Sequence, residues 1–349
     1  CGPGGGQDDE SGDDGGGPPE VDVYAFAGGC YVASSGDDYL TGSGDAYGFT
    51  GDEDSAARLY LKAADLGTYL LYDDGGYVVF EDGPLARQVE LESKLSRVDD
   101  TYVSGALWSF EAAGDDGSEV ALRNLRNDAL LASEGLVDDV EDAALVVFEE
   151  AEGCVEHPEL TLDADGTVER TTFDDGDLYG IVDTHSHILS NFGFGGGGIF
   201  HGSAFHPLGV EHALPSCEPF HGEMGRKDFF GFAFDNAGPD DGDLTALLAE
   251  LIAGELSEDN HATDGYPTFS EWPDAGKRST HQTQYYKWLE RAHLAGLRLV
   301  VQHATTNSVI CHITAGEGHQ PVRYDCSDMA GVNRIIEETY AMERYIDAQ

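Results

Sequence analysis

Chemistry in this 349-residue chain is expected where its histidines are: twelve of thirteen lie at or after position 185, and only His157 precedes them. The sharpest phrase is Leu178-Tyr-Gly-Ile-Val-Asp-Thr-His-Ser-His187, in which a short apolar run leads into Asp183 and then into His185 and His187. Alternation along a strand puts residues i and i+2 on one face, so both imidazoles can converge on one divalent metal ion. Such an ion lowers the pKa of a bound water and polarises a scissile carbonyl. Nitrogen donors favour Zn, with Mn, Fe or Ni as alternatives. A strand that ends on these residues and opens into a loop has the layout of an active site at the C-terminal mouth of a (β/α)8 TIM barrel. His185 and His187 are the expected metal ligands and Asp183 a pocket residue, against the simpler reading of His-x-His as an accident of a structural strand. No catalytic acid or base can be named.

The elements that must position these residues follow from periodicity. Four histidines, His201, His206, His212 and His221, stand in a long insertion after the strand. Taken singly, each reads as a surface histidine of an acidic protein. His201 and His221 share a Phe-His-Gly phrase and are the pocket candidates among them. The glycine-rich run 193–198 has no Gly-Lys-Ser/Thr after it, so it is no phosphate loop, and a pliable loop over the barrel mouth is expected. Thr280 to Ala295 reads as an amphipathic helix ended by Gly296. Leu297 to Gln302 is a buried-type strand whose end places His303 and Asn307 at the pocket rim, and Asp328 to Ala348 is a further helix.

With these phrases in place, the chain from 178 to 349 resembles the metal-dependent amidohydrolase superfamily, whose first barrel strand ends in His-x-His. Further phrases are similar to secreted proteins grouped with the membrane dipeptidases (peptidase family M19): Asn191-Phe-Gly-Phe-Gly-Gly-Gly-Gly-Ile-Phe-His-Gly202, Leu214-Pro-Ser-Cys-Glu-Pro-Phe-His-Gly222, Gly265-Tyr-Pro-Thr-Phe-Ser-Glu-Trp-Pro273 and Gly296-Leu-Arg-Leu-Val-Val-Gln-His303. The resemblance implies a TIM barrel and metal-dependent hydrolysis of an amide or peptide bond. The dipeptidases carry His-x-Asp on the first strand; His187 takes the Asp position here, which weakens the case for a dipeptide substrate. A full barrel takes about 250 residues, and only two barrel-type strands are legible after Leu178. The stretch 161–349 is therefore read as the N-terminal portion of such a barrel, either cut from a longer enzyme or belonging to a shortened relative that binds without catalysis.

Residues 21–160 read as an all-β module. Three phrases, Cys30 to Leu40, Leu59 to Leu70 and Val120 to Leu130, each hold an alternating apolar strand, a polar turn and the start of a second strand. This threefold likeness resembles a β-trefoil of the fascin-like or ricin-like kind, with a β-sandwich as the alternative. Cys30 and Cys154 stand at the two ends of the module. In a closed barrel the ends meet, so a Cys30–Cys154 disulfide is expected. The Gln-x-Trp signature of sugar-binding trefoils is absent, and Trp108 is expected in the core. Cys311 and Cys326 can close the loop between them for about 3 kcal/mol. That leaves Cys217 unpaired, although Cys217 with either partner stays open.

Composition bounds the rest. With 67 Asp+Glu against 18 Lys+Arg the formal charge is −49, which excludes nucleic acid bound through its phosphates. Acid spread along the whole chain fits a surface that relies on the counterions of concentrated salt. Cys1 followed by the acidic, glycine-rich stretch 2–20 resembles a lipoprotein carrying lipid on its first cysteine, tethered by residues 1–20 to the outside of the cell. The partners expected are a small-molecule or peptide substrate and, through that lipid alone, the membrane. The alternative to a hydrolase is a non-catalytic adhesive or binding lipoprotein that acts through the β-module.

Overall fold

The computed structural model describes residues 21–91, 103–114, 117–168, 170–228, 230–232, 260–272, 280–314 and 324–349. The expected tether 1–20 and its Cys1 lie outside the described residues. Short runs of Tyr, Val, Leu and Ala broken by Gly and Asp form twelve strands: β1 (Cys30–Ser35), β2 (Asp38–Ser43), β3 (Ala46–Thr50), β4 (Leu59–Asp65), β5 (Thr68–Asp73), β6 (Gly76–Val79), β7 (Ala86–Gln88), β8 (Trp108–Ala113), β9 (Glu119–Asn124), β10 (Ala129–Ala132), β11 (Gly135–Val137) and β12 (Leu145–Glu150). Tight turns join several of them. Between β5 and β6 the turn is Asp74-Gly75, both at positive φ, the mirror-image turn that matches strand twist.

Pairing closes six strands into a ring, β1–β4–β5–β8–β9–β12 and back to β1, while β2–β3, β6–β7 and β10–β11 form three hairpins. Four strands repeated three times around a closed ring is a β-trefoil-like topology, and it displaces the sandwich alternative. The repeat phrases are only partly in phase with it. Cys30 to Leu40 covers β1–β2 and Val120 to Leu130 covers β9–β10, the first hairpins of the first and third repeats. Leu59 to Leu70, however, straddles β4 and β5, the junction of the first repeat with the second. Any hairpin has the same strand–turn–strand pattern, so the pattern alone could not choose the phase.

Side chains inside the ring, among them Leu59, Leu61, Tyr69, Leu71, Trp108 and Leu122, are at most 2 % exposed. Each such side chain is worth roughly 1.5–3 kcal/mol of burial. Trp108 is a core residue as expected, its indole N–H donating to the Val78 carbonyl at 2.9 Å. The Cys30–Cys154 disulfide fastens the two ends of the ring across 124 positions. A closed loop of that size is worth about 4–5 kcal/mol in the chain-entropy model. Cys311 and Cys326 form the second disulfide, and Cys217 is free and buried.

Beyond the ring, β13 (Ile181–Ser186) and β14 (Leu297–Gln302) form a parallel pair, with helices α1 (Val210–Ala213), α2 (Glu218–His221) and α3 (Tyr286–Leu294) among the described residues between them and α4 (Ser308–Thr314) and α5 (Asp328–Asp347) after β14. This does not support the expected TIM barrel: among the described residues it supplies only two parallel strands. Ile181 and Leu299 are 60 % and 48 % exposed, so β14 is not the buried strand its sequence suggested. No further layer among the described residues covers that face. The helix expected from Thr280 starts only at Tyr286. Its first residues are diverted because the Gln282 N–H donates to the His201 carbonyl and the His201 N–H to the Thr280 carbonyl, both at 2.8 Å. Gly296, at φ +114°, ends it as expected.

The two units share a buried polar seam. Lys62 on β4 donates to the Tyr345 hydroxyl at 3.1 Å and to the Gln349 side-chain carbonyl, with its ammonium 4.8 Å from the Tyr345 ring centre. Burial pushes its pKa down to about 8 despite the nearby Glu159. Glu159 accepts the hydroxyls of Tyr285 and Tyr286 at 2.8–3.0 Å. His157 accepts the Tyr77 hydroxyl at Nε2 (2.9 Å) and meets the Pro158 carbonyl at Nδ1 (3.1 Å), a pairing that suits the neutral ring. Burial first, then Lys62, push its pKa down to about 4.

Because the unfolded chain would take a proton on His157 near pH 6.5 and the folded chain does not, its contribution is fully present above pH 6.5 and drains away as pH falls toward 4. The expected loss from this group is about 3 kcal/mol. Urea unfolding at constant salt should show His157→Gln with a shallower fall between pH 6.5 and 4 than the parent, and parallel curves would refute the assignment.

Candidate functional site

Parallel pairing of Asp183 with Val300 and of Ser186 with Gln302 brings the C-terminal ends of β13 and β14 side by side. His185 and His187 then share one face, their Nε2 atoms 3.0 Å apart. His303, one residue past β14, stacks on His185 with ring centres 4.3 Å apart. The Thr305 hydroxyl lies 2.6 Å from His187 Nδ1 and fixes that ring from behind. Three of the expected residues therefore converge, on an exposed ledge.

Two others do not join them. Asp183 turns back and accepts the backbone N–H of His185 at 3.0 Å, shaping the strand end. Asn307 accepts the Ile310 N–H at 2.9 Å, an N-cap interaction that starts α4 instead of lining the pocket. Beside His187 opens a cavity of about 370 Å³ whose lining includes Asn191, Gln282, Gln284, His201 and His281.

The reading of the insertion histidines as surface residues is overturned. His201, His206 and His221 are 1 %, 4 % and 0 % exposed, so His201 and His221 belong to the interior beside the cavity. In the glycine-rich run, residues 193–196 are buried and 197–198 half-buried. At Gly193 a Cβ would stand 2.4 Å from the Thr305 carbonyl, and only glycine allows that approach.

Packed against this wall is a cluster that the sequence reading missed. Cys217 immediately precedes α2 and His221 ends it, a four-residue spacing that puts both on one helical face. His261 and His281 reach them from elsewhere in the chain. All four are buried, and one donor atom from each lies within 4.8 Å of the others, so the group can hold a metal ion. Asp228, 1 % exposed, places Oδ2 at 3.0 Å from His261 Nε2 and 3.7 Å from His221 Nδ1. It also accepts the Thr280 hydroxyl at 2.9 Å and the Gly231 N–H at 2.8 Å.

Burial alone would raise the Asp228 carboxyl, but the two imidazoles and the Gly231 N–H outweigh it and hold it well below the usual carboxylate range. Burial, then Asp228, push the Cys217 thiol far up. Burial and the neighbouring imidazoles push His281 down to about 2. The spacing Cys217-x-x-x-His221 was the one local signal available; His261 and His281 carry none.

No protein-family model matches the chain, and no curated protein matches it. The resemblance to amidohydrolases and membrane dipeptidases is thus unsupported by these comparisons. Among solved structures, the chain is similar to the BEL beta-trefoil (15% identity, 39% of this chain, 99% of that one, TM-score 0.29). It is also similar to SeviL bound to asialo-GM1 saccharide (12% identity, 36% and 98% covered, TM-score 0.28). A third is Cry35Ab1 (12% identity, TM-score 0.28), with 46% of this chain aligned to 44% of that one. The β-trefoil-like assignment stands on the strand pairing itself. No described helix is long and apolar enough to cross a membrane, and the two disulfides are consistent with an extracellular protein.

Gly225 tests the packing of the buried cluster. It sits at φ +69°, and a Cβ there would stand 2.6 Å from the His261 ring. Gly225→Ala should cost about 2–4 kcal/mol in denaturant unfolding, combining backbone strain with overpacking; a cost below about 0.5 kcal/mol, the range of an ordinary surface change, would contradict the described contact.

Proposed function

We propose that this chain is an exported binding protein of the cell surface, with residues 1–20 as its tether and lipid on Cys1 as its anchor, and that the β-trefoil-like unit engages the partner. The observation that supports this is the closed, disulfide-fastened ring with its three hairpins. Two of its polar groups are paired within the unit: the Asn124 side chain donates to the Gly105 carbonyl at 2.8 Å, and Arg87 pairs with Asp73 at 2.6 Å. A formal charge of −49 repels anions, so the partner chemistry is neutral or cationic, a neutral saccharide or a basic peptide. The full chain in concentrated salt, applied to arrays of neutral glycans and basic peptides, should bind saturably, and equally well after His185→Ala/His187→Ala. Silence on both arrays would remove this reading.

A second reading is favoured by one specific observation, the convergence of His185, His187 and His303 beside a 370 Å³ cavity. It is a metal-dependent hydrolase of the amide or peptide-bond type, with Zn preferred over Mn, Fe or Ni and a small-molecule or peptide substrate. Zinc-supplemented full chain should then hydrolyse members of an amide and dipeptide panel, with turnover lost in His185→Ala/His187→Ala. Turnover no greater than that of the metal ion alone would rule it out.

A further inference from the structure

We infer that Cys217, His221, His261 and His281 form a buried zinc site, distinct from the exposed strand-end histidines, with Asp228 as the carboxylate that orients it. The geometry is close to what the ion needs. A tetrahedral zinc with one sulfur and three nitrogen ligands holds its donors about 3.3–3.6 Å apart, and the donors here already lie within 4.8 Å of one another. Rotamer adjustments of about an ångström close the difference. One thiolate with three imidazoles selects zinc, whereas Mg²⁺ and Ca²⁺ require oxygen ligands.

Asp228 supplies the second line of argument. His261 meets the Asp228 carboxylate with Nε2 at 3.0 Å, while its Nδ1 donates to the Ala262 carbonyl at 2.8 Å and lies 4.0 Å from the Cys217 sulfur, so ligation through Nδ1 would exchange the Ala262 bond for the ion. With Nδ1 turned from the Ala262 carbonyl to the ion, the ring would have the carboxylate–histidine–metal arrangement that fixes tautomer and orientation. His281 Nδ1 is buried with no hydrogen-bond partner among the described residues, a lone pair or N–H that a metal site would employ or orient.

Charge closes the account. Zinc binding replaces the Cys217 S–H bond by S–Zn and releases that proton to water. Zn²⁺, the thiolate and the Asp228 carboxylate then sum to zero in a place from which water is excluded. All four ligands are buried, so no coordination position opens to substrate. The ion would act as a cross-link, tying the segment 217–228 to His261 and His281 and so holding the cavity wall that His281 lines.

The test uses the full chain. After exhaustive dialysis it should retain about one zinc ion. Cobalt substituted for zinc should show tetrahedral d–d bands and a thiolate-to-cobalt charge-transfer band in the near ultraviolet. Cys217→Ser should lose the charge-transfer band, His185→Ala/His187→Ala should keep it, and Asp228→Asn should weaken zinc affinity about 10- to 100-fold. No zinc retained, no thiolate band in the parent, or the same band in Cys217→Ser would each overturn the site. Should Cys217→Ser fail to fold, the parent still decides: a chelator should expose the Cys217 thiol to alkylation, read at its own peptide by mass mapping, and equal alkylation of that peptide with and without chelator would overturn the inference.

Discussion

A carboxylate removed from water must be met by hydrogen bonds and positive charge, and Asp228 imposes that demand on the C-terminal unit. Its partners come from separate stretches: the Gly231 N–H close by, His261 some thirty positions on, and the Thr280 hydroxyl beyond that. The Asn260 side chain donates to the Asp228 backbone carbonyl at 2.8 Å and closes the same knot. Once Thr280 is held there, its carbonyl receives the His201 N–H, and the residues before α3 cannot become helix. The wall formed by His201 and His281 then stands opposite His187, and the cavity lies between them. Satisfying one buried charge thus determines where the insertion folds, and the insertion determines the shape of the site.

The same reasoning governs the seam between the units. Lys62 and Glu159 are taken from solvent and answered by three tyrosines, Tyr285, Tyr286 and Tyr345. Ala348, just past α5, joins the core of the β-ring, and Arg344 reaches Asp65 at 3.2 Å. A helix that ends inside its neighbour's core cannot pivot freely, so the histidine-bearing unit is mounted on the β-ring.

How much of this was legible depended on the range over which each feature is encoded. The i, i+2 rule brought His185 and His187 together correctly because one strand suffices for it, and His303 followed because β14 also ends there. The disulfide Cys30–Cys154 was legible because closing a ring brings its ends together whatever the details. Local rules misled where a tertiary partner outbid them. Thr280 to Tyr285 had helical periodicity, yet His201 claimed their backbone; Asn307 was lost to a competing local rule, the N-cap of α4. The phase of the trefoil repeat was not legible, since every hairpin offers the same apolar–turn–apolar phrase.

The amino-acid sequence by itself determined the all-β character of residues 21–160, the Cys30–Cys154 pairing and the His185/His187 pair, because each depends on residues close in the chain or on closure alone. The tertiary structure decided which histidines are buried and which meet. His261 and His281 stand 40 and 60 residues beyond His221, and no spacing links them to Cys217. They converge because the buried Asp228 carboxylate draws its partners from those segments, His261 directly and the His281 segment through the neighbouring Thr280, and that requirement is visible in no single stretch of the sequence.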